Sequence, residues 1–339
     1  MTLEAQNKML PAHDRRRDSE RLRVGIAQIA PVLLDRVATL DKVASLVSDA
    51  GTAGCDLVAF GEAFVPGYPF WIERTDGARF NSAIQKEMFA LYLQQGVVIE
   101  RGDLSEVARL CEQKSVAAYL GVMERAPDRG GHSLYCSLVY IDRDGVIKSV
   151  HRKVQPTYEE RLAWAPGDGH GLRVHDLGAF RVGGLNCWEN WMPLMRAALS
   201  AQGEDVHVAV WPGGVHNTRD ITRFMALESR SYVISASAIM RAGDVPPEVP
   251  VREEMLAGAS GFLADGGSAV AGPDGEWVLP PVEREEGLFV AEIDHARVRE
   301  ERHNFDPVGH YSRPDVTRLE VNRERQATAS FIDEPVPHA

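Results

Sequence analysis

The chain has 339 residues, of which 44% are hydrophobic and 25% charged, enough for one large globular domain or two small ones. Its formal net charge of −12 argues against nucleic acid or an anionic membrane surface as partner, and no stretch has the length of a membrane-spanning helix. The four cysteines, Cys55, Cys111, Cys136 and Cys187, lack paired metal spacing and fit a reduced, cytoplasmic setting.

Residues 1–21 are polar and aperiodic and are expected to form a loose arm. Arg15-Arg16-Arg17 precedes an apolar stretch, Val24 to Leu34, which raises a twin-arginine export signal. Gln28 interrupts that stretch and no small-residue cleavage site follows promptly, so it reads as a first strand instead. Leu40, Val43, Ala44, Val47 and Ala50 recur at helical spacing, with Gly51 and Gly54 closing the helix. Asp56 to Phe60 is a compact apolar strand that delivers Glu62 at its C-terminal end, where open α/β sheets place their chemistry.

Helices are expected over 80–95 and 103–114, the second with Cys111 on its core face. Strands follow over 116–123, 134–141 and 146–154, the last two joined by an Asp142-Arg143-Asp144-Gly145 turn and the third carrying His151-Arg152-Lys153 at its end. From Gln155 to Gly171 the chain is rich in Pro, Gly, Trp and acidic residues, as in a structured functional loop. Phe180 to Leu185 is a buried strand that ends at Cys187, with Pro193 opening a helix to Ala201. A cysteine before a helix start faces unpaired N–H groups that favour the thiolate. A strand over 206–210, a helix over 219–231 and strands over 232–239, 268–271 and 288–293 complete the pattern, with 244–250 as a surface loop. The tail from Arg299 contains Asp306-Pro307-Val308-Gly309-His310-Tyr311-Ser312-Arg313-Pro314-Asp315, too rich in landmarks to be mere solvated chain, and is expected to dock.

Three ionisable groups thus stand at strand ends: Glu62, Lys153 and Cys187. A thiol nucleophile needs a base for its proton and a cationic or N–H partner for the charge it creates, and these residues supply both. A strand-end Glu and Lys could equally form a surface ion pair. Cys55 and Cys136 read as strand and core residues. Glu189 reads either as a carboxylate supporting the site or as a residue placed by the helix dipole.

The residues themselves add a resemblance. Phe60-Gly61-Glu62-Ala63-Phe64-Val65-Pro66-Gly67-Tyr68-Pro69, His151-Arg152-Lys153 followed by Pro156-Thr157 and Glu160-Arg161, and Asn186-Cys187-Trp188-Glu189-Asn190 resemble the three catalytic blocks of the nitrilase superfamily. The match runs from about Leu22 to Leu319, and Met192-Pro193-Leu194, Gly167-Asp168-Gly169 and the tail motif resemble its nitrilase branch in particular. The resemblance implies an α/β fold, a four-layer αββα sandwich spanning 22–298 and dimerising to αββααββα, with 299–339 at subunit contacts and a higher or spiral homo-oligomer as the assembly. It implies Glu62 as general base, Lys153 as stabiliser of the tetrahedral species, Cys187 as nucleophile and Glu160 as a second glutamate orienting Lys153 or substrate. Tyr68, Trp164 and Trp188 are candidate pocket residues, and the Trp188 N–H a donor to developing negative charge. The activity implied is hydrolysis of a small organic nitrile with no metal or organic cofactor; amide or N-carbamoyl hydrolysis, or cyanide hydration, by the same residues are the alternatives. A catalytically idle scaffold is disfavoured because Glu62, Lys153, Glu160 and Cys187 are all intact. Two departures stand out: Gly61 replaces a proline, which should loosen the turn before the base, and Cys136 stands where asparagine is usual.

Overall fold

A computed structural model describes residues 21–329; the last ten residues and all of the arm expected over 1–21 except Arg21 lie outside it. Arg21 already belongs to the first strand. In chain order the elements are β1 (Arg21–Gln28), α1 (Arg36–Thr52), β2 (Leu57–Phe60), α2 (Trp71–Arg74), α3 (Ala83–Gln94), α4 (Ser105–Lys114), β3 (Ala117–Arg125), β4 (Leu134–Ile141) and β5 (Ile147–Arg152). Then come β6 (His175–Leu177), β7 (Phe180–Asn186), α5 (Pro193–Ser200), β8 (Val206–Trp211), α6 (Val215–Ser229), β9 (Tyr232–Ser237) and β10 (Ile239–Arg241). The last are α7 (Arg252–Leu256), β11 (Phe262–Ala271), β12 (Trp277–Glu283), β13 (Gly287–Asp294) and α8 (His295–Asn304).

Two sheets form. The first has the order β13-β1-β2-β3-β4-β5, and the second β10-β11-β9-β8-β7-β6 with β12 added on β11. Parallel pairing is confined to β1/β2/β3 in one and β7/β8/β9 in the other. Both faces of these central strands are covered, which is why their sequences are apolar throughout rather than alternating. One core cluster takes Ile26, Leu57, Tyr119 and Leu138 from the first sheet and Val182, Val208, Ile234 and Ala236 from the second, so the sheets pack face to face. On the outer face of the first sheet α1 and α4 contribute Val43, Val47, Val107 and Cys111. On the outer face of the second, α6 contributes Ile221, Met225 and Ala226, and α5 packs through Ala198 and Leu199. The result is the four-layer αββα sandwich.

Local signals explain the boundaries. Asp35 caps α1 by accepting from the Ala38 N–H at 2.9 Å; Gly51 lies inside the helix, and the left-handed turn falls on Gly54 at φ 73°. Ser82 sets the start of α3 in the same way, later than the spacing implied. β12 was hidden by Pro280 and Pro281, which an edge strand tolerates. Residues 244–250 form the loop expected, with Pro247, Glu248 and Pro250 exposed, but it is pinned inward by Val245 and Val249, which are buried beside Met240 and Met255.

The tail divides in two. Tyr311, Val316, Leu319 and Val321 are exposed, whereas Arg325 and Gln326 return to their own subunit. Arg325 donates to Asp168 and to the Val150 carbonyl, each at 3.0 Å, and the Gln326 N–H donates to Asp168 at 3.0 Å. Part of the segment assigned to subunit contacts therefore packs within the chain. Among the described residues no helix is long and apolar enough to cross a membrane.

Candidate active site

Each side chain of the predicted constellation is delivered by a strand end, and the ends meet at one edge of the sandwich. Glu62 follows β2 and is buried, its N–H donating to the Trp211 carbonyl of β8 at 3.0 Å. A Cβ on Gly61 would lie 2.7 Å from the Ala238 nitrogen and 3.0 Å from the Trp211 carbonyl oxygen. The missing side chain thus lets the backbones of both sheets close on the turn that carries Glu62, so the turn is closely packed rather than loosened as expected.

Lys153 sits one residue beyond β5 with its N–H donating to the Cys136 carbonyl at 2.7 Å. Its ammonium is fully buried and donates to Glu62 Oε1 at 2.8 Å and to Glu160 Oε2 at 2.6 Å. Glu160 lies in a short 3₁₀ turn, Tyr158–Leu162, capped by Thr157, whose N–H also donates to Oε2 at 2.6 Å. The other carboxylate oxygen accepts from the Tyr68 hydroxyl at 2.9 Å.

Cys187 opens a second 3₁₀ turn, Cys187–Trp191, at φ 47°, a left-handed conformation that costs a non-glycine residue on the order of 1–3 kcal/mol. The surroundings hold it there. Asn190 donates to the Cys187 carbonyl at 2.8 Å and is itself fixed by His207 at 2.7 Å. Glu189 is fully buried, accepts the Val154 N–H at 2.6 Å and the Asn186 N–H at 3.0 Å, and meets His151 at 3.0 Å. It therefore ties the cysteine turn to the strand that leads to Lys153 and, with Asn186, also closes a capping box on its own 3₁₀ turn, so both readings of Glu189 have a contact behind them.

An oxygen of Glu62, one of Glu160 and the Cys187 sulfur lie within 4.8 Å of one another. Two carboxylates and a thiol could in principle hold a cation, but the Lys153 ammonium already bonds both carboxylates. Burial, opposed by Lys153, raises the Glu62 carboxyl to about 7. Burial and then Glu62 push the Cys187 thiol well above its ordinary value, with Lys153 and the Trp188 N–H acting against them. The expected thiolate at a helix start is thus overridden: a 3₁₀ turn replaces the helix, and desolvation outweighs its N–H groups. Burial alone would lower Lys153, yet Cys187, Glu62 and Glu160 hold it well above its usual range, so it stays charged. The resting site is a protonated thiol beside a carboxyl that titrates near neutrality.

A cavity of about 320 Å³ opens onto Cys187, with Tyr68, Glu160, Trp188, Trp211 and His216 in its wall. Tyr68 and Trp188 therefore stand where pocket residues were expected. Trp164 does not: it is buried behind Tyr68, edge-on to its ring at 5.6 Å, and 5.7 Å from Lys153 Nζ. Trp211, one of the aromatic residues the sequence offers for a pocket, ends β8 and joins the wall; His216 escaped the sequence reading. Cys136 was read as core; it is buried, but its sulfur lies 3.4 Å from Glu62 Oε1.

Comparison with known proteins agrees with this geometry. The model of the carbon–nitrogen hydrolase family matches residues 23–303. A protein named Nitrilase 2 from an unknown prokaryotic organism is 36% identical over 311 residues, 91% of this chain and 95% of that one. An aliphatic nitrilase of Rhodococcus rhodochrous is 32% identical over 317 residues, covering 89% of this chain and 82% of its own. Among solved structures, a carbon–nitrogen hydrolase from Helicobacter pylori G27 superposes with a TM-score of 0.62 at 21% identity, over 87% of this chain and 97% of that chain. An amidase from Nesterenkonia sp. gives 0.59 at 21% identity, over 84% and 94%. The chain belongs to the carbon–nitrogen hydrolase family, in the nitrilase branch of its superfamily, and is a hydrolase acting on carbon–nitrogen bonds.

Proposed function

We propose that the protein hydrolyses a small organic nitrile to the carboxylic acid and ammonia through covalent intermediates on Cys187. The observation that carries this reading is the Lys153 ammonium held between Glu62 and Glu160 beside the Cys187 sulfur. Ionised Glu62 takes the thiol proton as sulfur adds to the nitrile carbon, and the nitrile nitrogen gains a proton to give a thioimidate. Lys153 and the Trp188 N–H stabilise the charge that develops on nitrogen. A first water, deprotonated by Glu62, adds to the thioimidate and that proton passes to nitrogen; the new hydroxyl then gives its proton to nitrogen as the C–N bond breaks, so ammonia leaves and a thioester remains. A second water hydrolyses the thioester, releasing the acid and restoring the thiol. The sum is one nitrile and two waters giving one acid and one ammonia. Positive charge is supplied by Lys153, so the chemistry needs no metal.

A linear nitrile bends only after sulfur adds, so a site that grips the new N-anion favours the transition state over the ground state. An amide arrives planar and bulkier between Cys187 and Glu160. Ammonia release from matched aliphatic, aromatic and arylacetic nitriles and their amides tests the reading. The best nitrile should exceed its own amide in kcat/KM by at least roughly a hundredfold, about 2.7 kcal/mol. Comparable amide hydrolysis would replace the nitrilase reading with an amidase one.

A further inference from the structure

Glu62 Oε1 is a crowded atom: it accepts from Lys153 Nζ at 2.8 Å and lies 3.4 Å from the Cys136 sulfur. Oε2 has no hydrogen-bond partner and is likewise buried. The two oxygens are therefore unequal, and the inequality assigns them different tasks. Cys136 is fully buried on β4, among Ala63, Met123 and Trp164, so its sulfur has no solvent to turn to. Its main chain is engaged as well, since the Cys136 carbonyl receives the Lys153 N–H at 2.7 Å. One residue thus touches the lysine through its backbone and the glutamate through its side chain.

We propose that Cys136 is a positioning residue, whose thiol donates to Glu62 Oε1, fixes the carboxylate plane and leaves Oε2 as the oxygen that exchanges protons with Cys187. The inference rests on the reading of Glu62 as the general base. A thiol is a weak donor, but in a site closed to water a weak donor with no competitor still biases a carboxylate. Burial, followed by Glu62, holds the Cys136 thiol well above its ordinary value, so the donor keeps its proton. The other groups facing Glu62 are Lys153 beyond β5, Glu160 in its 3₁₀ turn, Cys187 beyond β7, Tyr68 after β2 and Tyr92 on α3. Of these only Lys153 donates to Oε1 among the described residues, and Cys136 is the second donor.

Cys136→Ala removes the donor, and Cys136→Ser retains one in nearly the same volume. Loss of a hydrogen bond to the carboxylate raises the Glu62 pKa, so the acid limb of kcat/KM should move up by about one pH unit in Cys136→Ala. With it, kcat should fall roughly tenfold while KM stays within about twofold, and Cys136→Ser should regain most of both. The same shift is read without any nitrile from the pH dependence of Cys187 alkylation by iodoacetamide, followed by peptide mass spectrometry. If Cys136→Ala proves unstable, Cys136→Val carries the comparison. A wild-type pH profile in the donor-free variant, or equal displacement in Ala and Ser variants, overturns the proposal. Failure of nitrile turnover with the alkylation shift intact would instead count against the nitrilase reading alone and support the role of Cys136.

Discussion

Lys153 and Glu160 are seven residues apart in sequence, and their side chains meet at 2.6 Å on the same carboxylate oxygen that caps the Thr157 turn. Loop folding and cation placement thus share one atom. Tyr68 holds the other oxygen. Tyr68→Phe should lower kcat about tenfold and the melting temperature by a few degrees, because one hydrogen bond to a charged group, worth roughly 1.5–3 kcal/mol, is lost. Glu160→Gln should cost more on both counts. Steady-state kinetics beside thermal denaturation would check this, and an unaffected Glu160→Gln enzyme would remove that residue from the machinery.

Cys187→Ala, Glu62→Gln and Lys153→Ala should each reduce turnover by at least about a thousandfold, since a nucleophile, a base and a charge stabiliser are lost in turn. Circular dichroism should remain native for Cys187→Ala and Glu62→Gln. Lys153→Ala also leaves two carboxylates facing each other and should lower stability by about 3–5 kcal/mol. Substantial activity in the alanine variant of Cys187 would end its assignment as nucleophile.

Activity should depend on pH through Glu62, whose carboxyl titrates near 7 because it is buried. The base works ionised, so kcat/KM should fall about tenfold per unit as pH drops below that value and level off above it. Lys153 is held far above neutrality and should impose no loss of activity between pH 7 and 9. An acid limb centred near the ordinary glutamate value would show that water reaches Glu62.

The Gly167 N–H donates to the Lys153 carbonyl at 2.7 Å, and the neighbouring Asp168 accepts from Arg325 and Gln326. Removing the chain from Leu319 onward should therefore loosen the segment that backs Lys153 and expose the buried Asp168. The expected signs are lower activity, a loss of about 1–3 kcal/mol in stability and a smaller assembly by light scattering. If the assembly keeps its size, this part of the tail acts only on its own subunit.

Much of this was legible in the chain. Apolar runs that end in a carboxylate or a thiol marked Glu62 and Cys187, because buried parallel strands must be apolar while their ends need not be; Lys153 follows β5, an antiparallel edge strand, and was marked by the charge at that strand's end. What escaped were relations that no period encodes. Cys136 faces Glu62 rather than plain core because β4 is covered on both sides, so burial could not say which neighbour it met. Trp164 and Tyr68 are both aromatic residues near the site, but only packing decided which of them lines the cavity. Strands such as β6 and β10 are too short to leave a pattern and are held by their partners.

The close approach at Gly61 constrains how this sequence could change. Any side chain there must displace main-chain atoms of Ala238 and Trp211, not the movable end of a side chain. Gly61→Pro, the substitution that would restore the expected motif, therefore cannot be accommodated by repacking neighbours. It would have to be preceded by a shift of β8 against β2, and that shift moves Glu62, which hangs from the Trp211 carbonyl. In this chain a change at one position is therefore tied to a backbone rearrangement, and the identity of residue 61 sets the spacing between the two sheets beside Glu62.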